Sequence, residues 1–267
     1  MTWLADAVRL PSEDAVILEL PAASANRQVT IACPITPRIA NFDDLDPLRL
    51  EPGVALVMVP PGTPIPDADM IVLAGSKATI PDLAFVRAQG WDIDIRAHHR
   101  RGKLVLGLCG GYQMLGRSIA DPDGIEGPAC RVDGLGLLDV DTVLTGRKTL
   151  DRVSGQARGA AFDGYEMHMG VTTGPATARP VGHRADGSAE GATSADGLVS
   201  GSYIHGLLAL AEQRAAWLAR LGVAASGPDH GASIDAALDA IATTLERHVD
   251  LGALFALSER AGHRDRG

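Results

Sequence analysis

The sequence predicts an α/β protein with an open, mostly parallel sheet flanked by helices. Four short apolar runs carry this prediction, at residues 29–33, 55–59, 70–74 and 104–108. Nearly continuous apolar runs of this length are typical of strands that are buried on both faces of a parallel sheet. Glycine- or proline-rich turns follow the last three runs, as in strand–turn–helix units.

The remaining elements follow from periodicity. Residues 78–99 predict a helix that turns Leu83, Val86 and Ile95 inward, and the segment after the fourth run predicts the start of another. In the second half we expect a hairpin and loop over residues 171–197, strands at 135–140, 164–168 and 198–205, and helices at 212–221 and 234–254. The expected organisation is a lead-in linker (1–25), one domain (26–257) and a frayed tail (258–267).

Composition excludes several classes of protein. The chain has 267 residues, 46% of them hydrophobic, and a net charge of −9. This acidic balance, without a basic stripe, argues against nucleic-acid binding. The apolar content argues against global disorder, and no apolar run approaches the ~18 residues of a membrane span. Because no secretory signal is visible at the N-terminus, we expect a cytoplasmic protein without a membrane partner.

Cysteine usage directs attention to a single thiol. The three cysteines form no CxxC pair and leave an odd count, so neither a disulfide framework nor a metal site is expected. A strand runs into Cys109, and Gly110 and Gly111 then turn directly into a helix. Such a turn is typical of a nucleophile elbow, where the N–H of Gly110 would face an oxyanion. The alternative is a buried cysteine that only packs at a strand end.

A cysteine nucleophile needs a base, and the chain has eight histidines. Six of them have polar or helical surroundings that indicate surface positions. His168 and His205 each end a strand candidate and lie close to a glycine, where active-site groups of α/β proteins gather. Spacing alone does not choose between these two.

A family resemblance adds to this interpretation. Residues 107–116 (GLCGGYQMLG) resemble the nucleophile motif of class I, triad-type glutamine amidotransferases, which have a flavodoxin-like α/β fold. Four further segments narrow the resemblance to the glutaminase half of cobyric acid synthase, a family of cobalamin biosynthesis. These segments are 37–44 (PRIANFDD), 73–79 (LAGSKAT), 164–170 (GYEMHMG) and 202–206 (SYIHG). The resemblance spans residues 3–255.

The resemblance implies roles for individual residues. Cys109 would be the nucleophile and His205 the general base and acid. The backbone N–H groups around Gly75 and Ser76 would complete the oxyanion hole with that of Gly110. Gln113 would help to hold the substrate glutamine.

The resemblance gives less specific roles to Lys148, Glu166 and His168. Lys148 could pair with the α-carboxylate of glutamine, or be a solvated loop lysine. Most triad amidotransferases have a glutamate two residues after the histidine, but this chain has Leu207 there. The resemblance therefore implies a Cys–His dyad or a carboxylate from elsewhere. We take Glu166 as the candidate, and expect Glu166 and His168 mainly to shape the substrate pocket.

The resemblance also implies a partner. Complete enzymes of the family carry an ATP-dependent synthetase domain, whereas this sequence has no GxxxxGK[ST] phosphate loop. We therefore expect glutamine as the ligand and no cofactor in this chain, with ATP, Mg²⁺ and the corrinoid acceptor on a synthetase domain or subunit. Two alternatives are a stand-alone glutaminase of a lipid II amidating complex and a non-catalytic partner module.

Overall fold

The computed structural model describes residue 10, residues 27–250 and residues 252, 253 and 255–257. The predicted linker, apart from residue 10, and the predicted tail lie outside the described residues. The boundaries of the predicted central domain stay a prediction.

The secondary structure alternates between strands and helices in the first half and consists mostly of strands in the middle of the chain. The strands are β1 (Val29–Pro34), β2 (Ile39–Ala40), β3 (Val54–Val59), β4 (Met70–Leu73), β5 (Gly75–Ser76), β6 (Leu104–Leu108), β7 (Ser118–Asp121), β8 (Cys130–Asp133), β9 (Asp141–Ala157), β10 (Ala160–Thr173), β11 (Gly182–Arg184), β12 (Ala189–Glu190), β13 (Ala192–Thr193), β14 (Val199–Ser202) and β15 (Ile204–His205). The helices are α1 (Asp46–Arg49), α2 (Thr79–Ala88), α3 (Trp91–Arg100), α4 (Gly110–Leu115), α5 (Ala211–Ala219) and α6 (His230–His248), with short 3-10 turns at Phe42–Leu45 and Pro175–Ala178.

The first sheet has the strand order β13-β14-β6-β4-β1-β3. All its pairings are parallel except that of β13 with β14. Alternate residues face opposite sides: Met70 and Val72 pack in one apolar cluster, and Ile71 and Leu73 in the other. The predicted open, mostly parallel sheet with both faces covered is confirmed, and all four apolar runs form its strands.

The helices largely follow the predicted pattern. The predicted helix at 78–99 is two helices, because the chain turns at Gly90 with a φ of +75° that ends α2. Leu83, Val86 and Ile95 are fully buried, as predicted. Helix α6 begins four residues earlier than expected, where Asp229 caps it by accepting a hydrogen bond from the Ala232 N–H at 2.9 Å.

A second, mainly antiparallel sheet has the strand order β12-β11-β9-β10-β15, with β7 pairing β8 and β9. Its centre is the long β9–β10 hairpin, which contains the strand predicted at 164–168 and extends into the predicted loop region. The strand predicted at 135–140 is wrong. Leu135, Leu138 and Val140 are buried, but they pack from a series of bends rather than from a strand.

The two sheets meet where β14 ends. β14 pairs with β6 in the first sheet, and β15 pairs with β10 in the second, with Tyr203 alone between them. This crossing brings the end of β15 beside the end of β6. None of the described helices is long and apolar enough to cross a membrane.

Candidate active site

Cys109 occupies the sharp turn between β6 and α4. Its backbone has φ 51° and ψ −108°, a combination that is costly for a residue with a side chain. Gly111 makes the turn possible, because a Cβ at that position would lie 2.0 Å from the backbone oxygen of Leu73. The turn places the thiol, 8% exposed, at the carboxyl edge of the parallel sheet. This is the geometry expected of a nucleophile elbow.

His205 lies at the end of β15 and is fully buried. Its Nδ1 is 2.7 Å from Oδ2 of Asp44, and the other oxygen of Asp44 accepts the Gly206 N–H at 2.7 Å. Asp44 thereby fixes the orientation of the ring. The other ring nitrogen, Nε2, has no hydrogen-bond partner among the described residues. Tyr165 stacks on the ring at 5.1 Å between centroids. Asp44 and Tyr165 together hold the imidazole in place.

The charge state of His205 reflects its two neighbours. Burial by itself would lower the pKa of His205, but interactions with Asp44 and with Cys109 outweigh it and raise the pKa to about 10. The imidazole is therefore charged at neutral pH. A charged imidazole carries a proton on Nε2 that it can donate as a general acid.

The hypothesis that Glu166 orients His205 is wrong. Glu166 is buried in β10, but its carboxylate is hydrogen bonded to Arg184 and lies 3.9 Å from Nε2 of His168. Burial would raise the pKa of Glu166, yet the bonds with His168 and Arg184 hold it below its usual value. Because β10 and β15 run antiparallel, Glu166 is opposite Ile204 and turns away from the ring of His205. The carboxylate that contacts His205 is Asp44.

The three residues predicted for the oxyanion hole lie together. A Cβ at Gly110 would be 2.9 Å from the Ser76 backbone nitrogen, and a Cβ at Gly75 would be 3.4 Å from Cε1 of His205. Asp82, fully buried in α2, anchors β5 by accepting a hydrogen bond from Ser76 Oγ at 2.6 Å. The placement suits an oxyanion hole, and the role of these N–H groups stays a prediction.

Gln113 lies in α4, one turn after Cys109, and is 2% exposed. Its amide donates to the Met169 carbonyl at 3.0 Å and to the Tyr203 hydroxyl at 3.2 Å, and accepts from Thr79 Oγ1 at 2.8 Å. These bonds tie α4 to three other parts of the site. The contact of Gln113 with substrate stays a prediction.

A cavity of about 260 Å³ opens beside Cys109. This volume is close to the lower end of the range for small-molecule sites. Lys148 and His168 line it, as predicted for a substrate pocket, whereas Glu166 does not. The full lining is Ala40, Asn41, Ser76, Lys77, Thr79, Cys109, Gly110, Gln113, Glu126, Lys148, Met167, His168 and Met169. The described residues contain no cluster of three or more histidine, cysteine or acidic side chains that could hold a metal ion.

Comparison with known families identifies the family to which the chain belongs. The sequence pattern of the CobB/CobQ-like glutamine amidotransferase domain matches residues 30–213, which include Asp44, Cys109 and His205. The chain belongs to this family. It is therefore a glutamine amidotransferase, and the family match covers both sheets of the fold.

Curated relatives agree with the family. The chain is 66% identical over 261 residues to a cobyric acid synthase of Rhizorhabdus wittichii and 64% identical over 257 residues to one of Novosphingobium aromaticivorans. It is 63% identical over 257 residues to one of Sphingopyxis alaskensis. These alignments cover 96–97% of this chain but only 52–54% of the relatives. The chain thus spans about half the length of the curated relatives that it matches.

Solved structures share the fold at low sequence identity. The structure of PurLQS from Thermotoga maritima aligns with 79% of this chain and 99% of its own, with a TM-score of 0.52 and 18% identity. A structure titled as a glutamine amidotransferase aligns with 72% of this chain and 99% of its own, with a TM-score of 0.51 and 17% identity. The α/β architecture is therefore one that this chain shares with these two structures.

Proposed function

We propose that this chain is the glutaminase component of a cobyric acid synthase and acts in the cytoplasm. It hydrolyses the side-chain amide of glutamine through a thioester on Cys109 and supplies ammonia for ATP-dependent amidation of corrin side-chain carboxylates in cobalamin biosynthesis. The observation that carries the proposal is the arrangement of Cys109, His205 and Asp44 beside a cavity of amino-acid size. The relatives named cobyric acid synthase support the choice of acceptor.

Acylation begins with the thiolate of Cys109. Its sulfur attacks the side-chain amide carbon, and the resulting oxyanion faces the N–H groups of Gly110 and of β5 (Gly75–Ser76). The carbon–nitrogen bond then breaks, and His205 passes the proton on Nε2 to the leaving nitrogen. Ammonia departs and a thioester remains on Cys109.

Deacylation uses the same groups in the reverse direction. Neutral His205 takes a proton from water, and the hydroxide that forms attacks the thioester carbon. The carbon–sulfur bond breaks, glutamate leaves, and the thiolate and charged imidazole are restored. Asp44 keeps Nδ1 protonated throughout, so that Nε2 is the nitrogen that gives and takes the proton.

Substrate orientation is assigned to the rim of the cavity. Lys148, an exposed residue of β9, offers a cation for the α-carboxylate of glutamine. Gln113 lines the same cavity and is held in place by its bonds to Met169 and Tyr203. We propose that ATP, Mg²⁺ and the corrinoid are bound by a synthetase domain, on the same polypeptide or on a separate subunit.

Release of glutamate from glutamine tests the proposal directly. The wild-type chain is assayed alone and with a synthetase domain, ATP and corrinoid acceptor, beside Cys109→Ala in both mixtures. We expect hydrolysis that increases with the loaded synthetase and that Cys109→Ala abolishes. In the complete mixture Cys109→Ala should still support amidation from free ammonia. Wild-type protein that releases no glutamate under either condition would refute the proposal.

A further inference from the structure

Four consecutive residues connect the nucleophile to its base. The Ser202 carbonyl, at the end of β14, accepts the backbone N–H of Cys109 at 2.8 Å. Tyr203 follows, its hydroxyl bonded to Gln113, and then β15 carries His205 into the second sheet. The position of His205 relative to Cys109 therefore depends on the path of the chain from Ser202 to Ile204.

Glu190 holds this path from outside the catalytic groups. Its carboxylate accepts the Tyr203 N–H at 2.8 Å and the Ser202 hydroxyl at 3.1 Å. The Ser202 hydroxyl in turn accepts the Ile204 N–H at 3.0 Å. One carboxylate, directly and through one hydroxyl, thus satisfies both backbone N–H groups at the point where the chain leaves the first sheet.

The buried surroundings of Glu190 make the charged form of its side chain unfavourable. It is 2% exposed, and burial, opposed by the bonds from Tyr203 and Ser202, raises its pKa to about 7. Glu166 of β10 raises it further, and Arg184 of β11 lowers it. A buried carboxylate is destabilising unless its hydrogen bonds are satisfied. Its partners here are the residues that connect Cys109 to His205.

Glu190 does not touch the cavity beside Cys109, and lines instead an adjacent cavity of about 440 Å³. It is therefore not placed to contact glutamine. We propose that Glu190 is a positioning residue, which holds the turn from Ser202 to Ile204 and thereby keeps the imidazole of His205 in reach of the Cys109 thiol. The kinetic part of this inference rests on the proposed glutaminase function.

The test uses the full chain and four variants. Glu190→Ala removes the anchor, Glu190→Gln keeps an acceptor for the Tyr203 N–H, and Ser202→Ala removes the hydroxyl but keeps the carbonyl that binds Cys109. Glu51→Gln is the control, because Glu51 is equally buried and accepts the Ser226 and Gly227 N–H groups at 2.8 Å, yet contacts no active-site residue. Each variant is measured for kcat, KM for glutamine and Tm.

A second readout needs no turnover. In a Cys130→Ala background, chloroacetamide alkylation of Cys109 is followed from about pH 5 to 9, since only the thiolate reacts. Displacement of His205 should change this profile relative to that of the wild type. Cys33, which is fully buried, should not react.

We expect Glu190→Ala to lower kcat by about 10- to 100-fold with KM within about threefold of wild type, and to move the alkylation profile. Ser202→Ala should act in the same direction, and Glu190→Gln should recover most of the loss. Glu51→Gln should keep wild-type kcat per folded molecule, whatever its Tm. If Glu190→Ala does not fold, Ser202→Ala decides the question.

Two results would overturn the inference. One is an unchanged kcat and alkylation profile in folded Glu190→Ala or Ser202→Ala. The other is an equal loss of kcat in Glu51→Gln, which would indicate general destabilisation. If wild-type protein hydrolyses no glutamine, the proposed function fails, and the alkylation profiles still decide whether Glu190 positions His205.

Discussion

Asp44 and His205 are 161 positions apart in the sequence, and Oδ2 of Asp44 lies 2.7 Å from Nδ1 of His205. Both side chains are buried, and the second carboxylate oxygen of Asp44 holds the backbone N–H of the next residue, Gly206. This contact supplies the carboxylate that is missing two residues after the histidine, where the chain has Leu207. The site therefore has the Cys–His–carboxylate arrangement of a triad, with the carboxylate on a different segment of the chain.

Replacement of Asp44 by Asn should lower kcat by about 100-fold or more, because an amide cannot stabilise the charged imidazole and favours the wrong tautomer. KM for glutamine should change little, since Asp44 does not line the cavity. Steady-state kinetics measure both constants. Asp43→Asn is the matched control: Asp43 is adjacent and half-buried but makes no side-chain hydrogen bond with His205, and we expect kcat within about threefold of wild type. Asp44→Asn with half of the wild-type kcat would show that the contact is only structural.

The two candidate histidines should separate kinetically. His205→Asn should cost at least about 100-fold in kcat, the scale of a lost general acid and base. His168→Asn should act mainly through KM or stability, because His168 lines the cavity and stacks on Tyr203, with 3.8 Å between ring centroids. Equal losses of kcat with unchanged KM in both variants would mean that His168 takes part in proton transfer.

Stability should depend on pH through His205. Folding raises the pKa of His205 from 6.5 to about 10, so the charged imidazole stabilises the folded protein below pH 6.5. This contribution is lost as the pH rises toward 10. Urea unfolding of wild type and His205→Gln between about pH 6 and 10 measures it, and the wild type should lose more stability over that interval. Parallel curves for the two proteins would contradict a raised pKa in the folded state.

The proposed division of the reaction between this chain and a synthetase domain gives a further prediction. The chain alone should neither hydrolyse ATP nor amidate a corrinoid, with glutamine or with ammonia, because the proposed function assigns that chemistry to a synthetase domain. Its glutaminase activity alone should be weak and should rise when the loaded synthetase is added. Phosphate release from ATP by the chain alone, stimulated by acceptor, would show that the active sites are not divided in this way.

Sequence patterns were sufficient to predict the central strands of the first sheet, because these strands are buried on both faces and consist almost entirely of apolar residues. The β9–β10 hairpin was harder to predict, since one face is exposed and residues such as Arg147, Lys148 and Arg152 dilute its alternation. The bends over residues 135–140 resemble a strand because three apolar side chains there are buried without strand pairing.

The sharp turn at Cys109 could be predicted because the strand, the cysteine and the two glycines are contiguous in the sequence. Asp44 could not, because its partner is remote in sequence and only the packing of the 3-10 turn Phe42–Leu45 against β15 brings them together. The segment at residues 37–44 resembled the family, yet no local pattern gave a role to its last residue. Glu190 gave no signal at all, since a single glutamate in a polar, glycine-rich stretch is typical of a surface loop.

Covalent labelling tests the central claim, that Cys109 is the nucleophile of a glutaminase, most directly. The chain is treated with a diazoketone analogue of glutamine, and the modified residue is located by mass spectrometry after digestion. The expected result is a single adduct on Cys109, prevented by excess glutamine and absent in Cys109→Ala, with Cys130 unmodified despite its exposure. An adduct on Cys33 or Cys130 with Cys109 unmodified, in protein that still hydrolyses glutamine, would contradict the account.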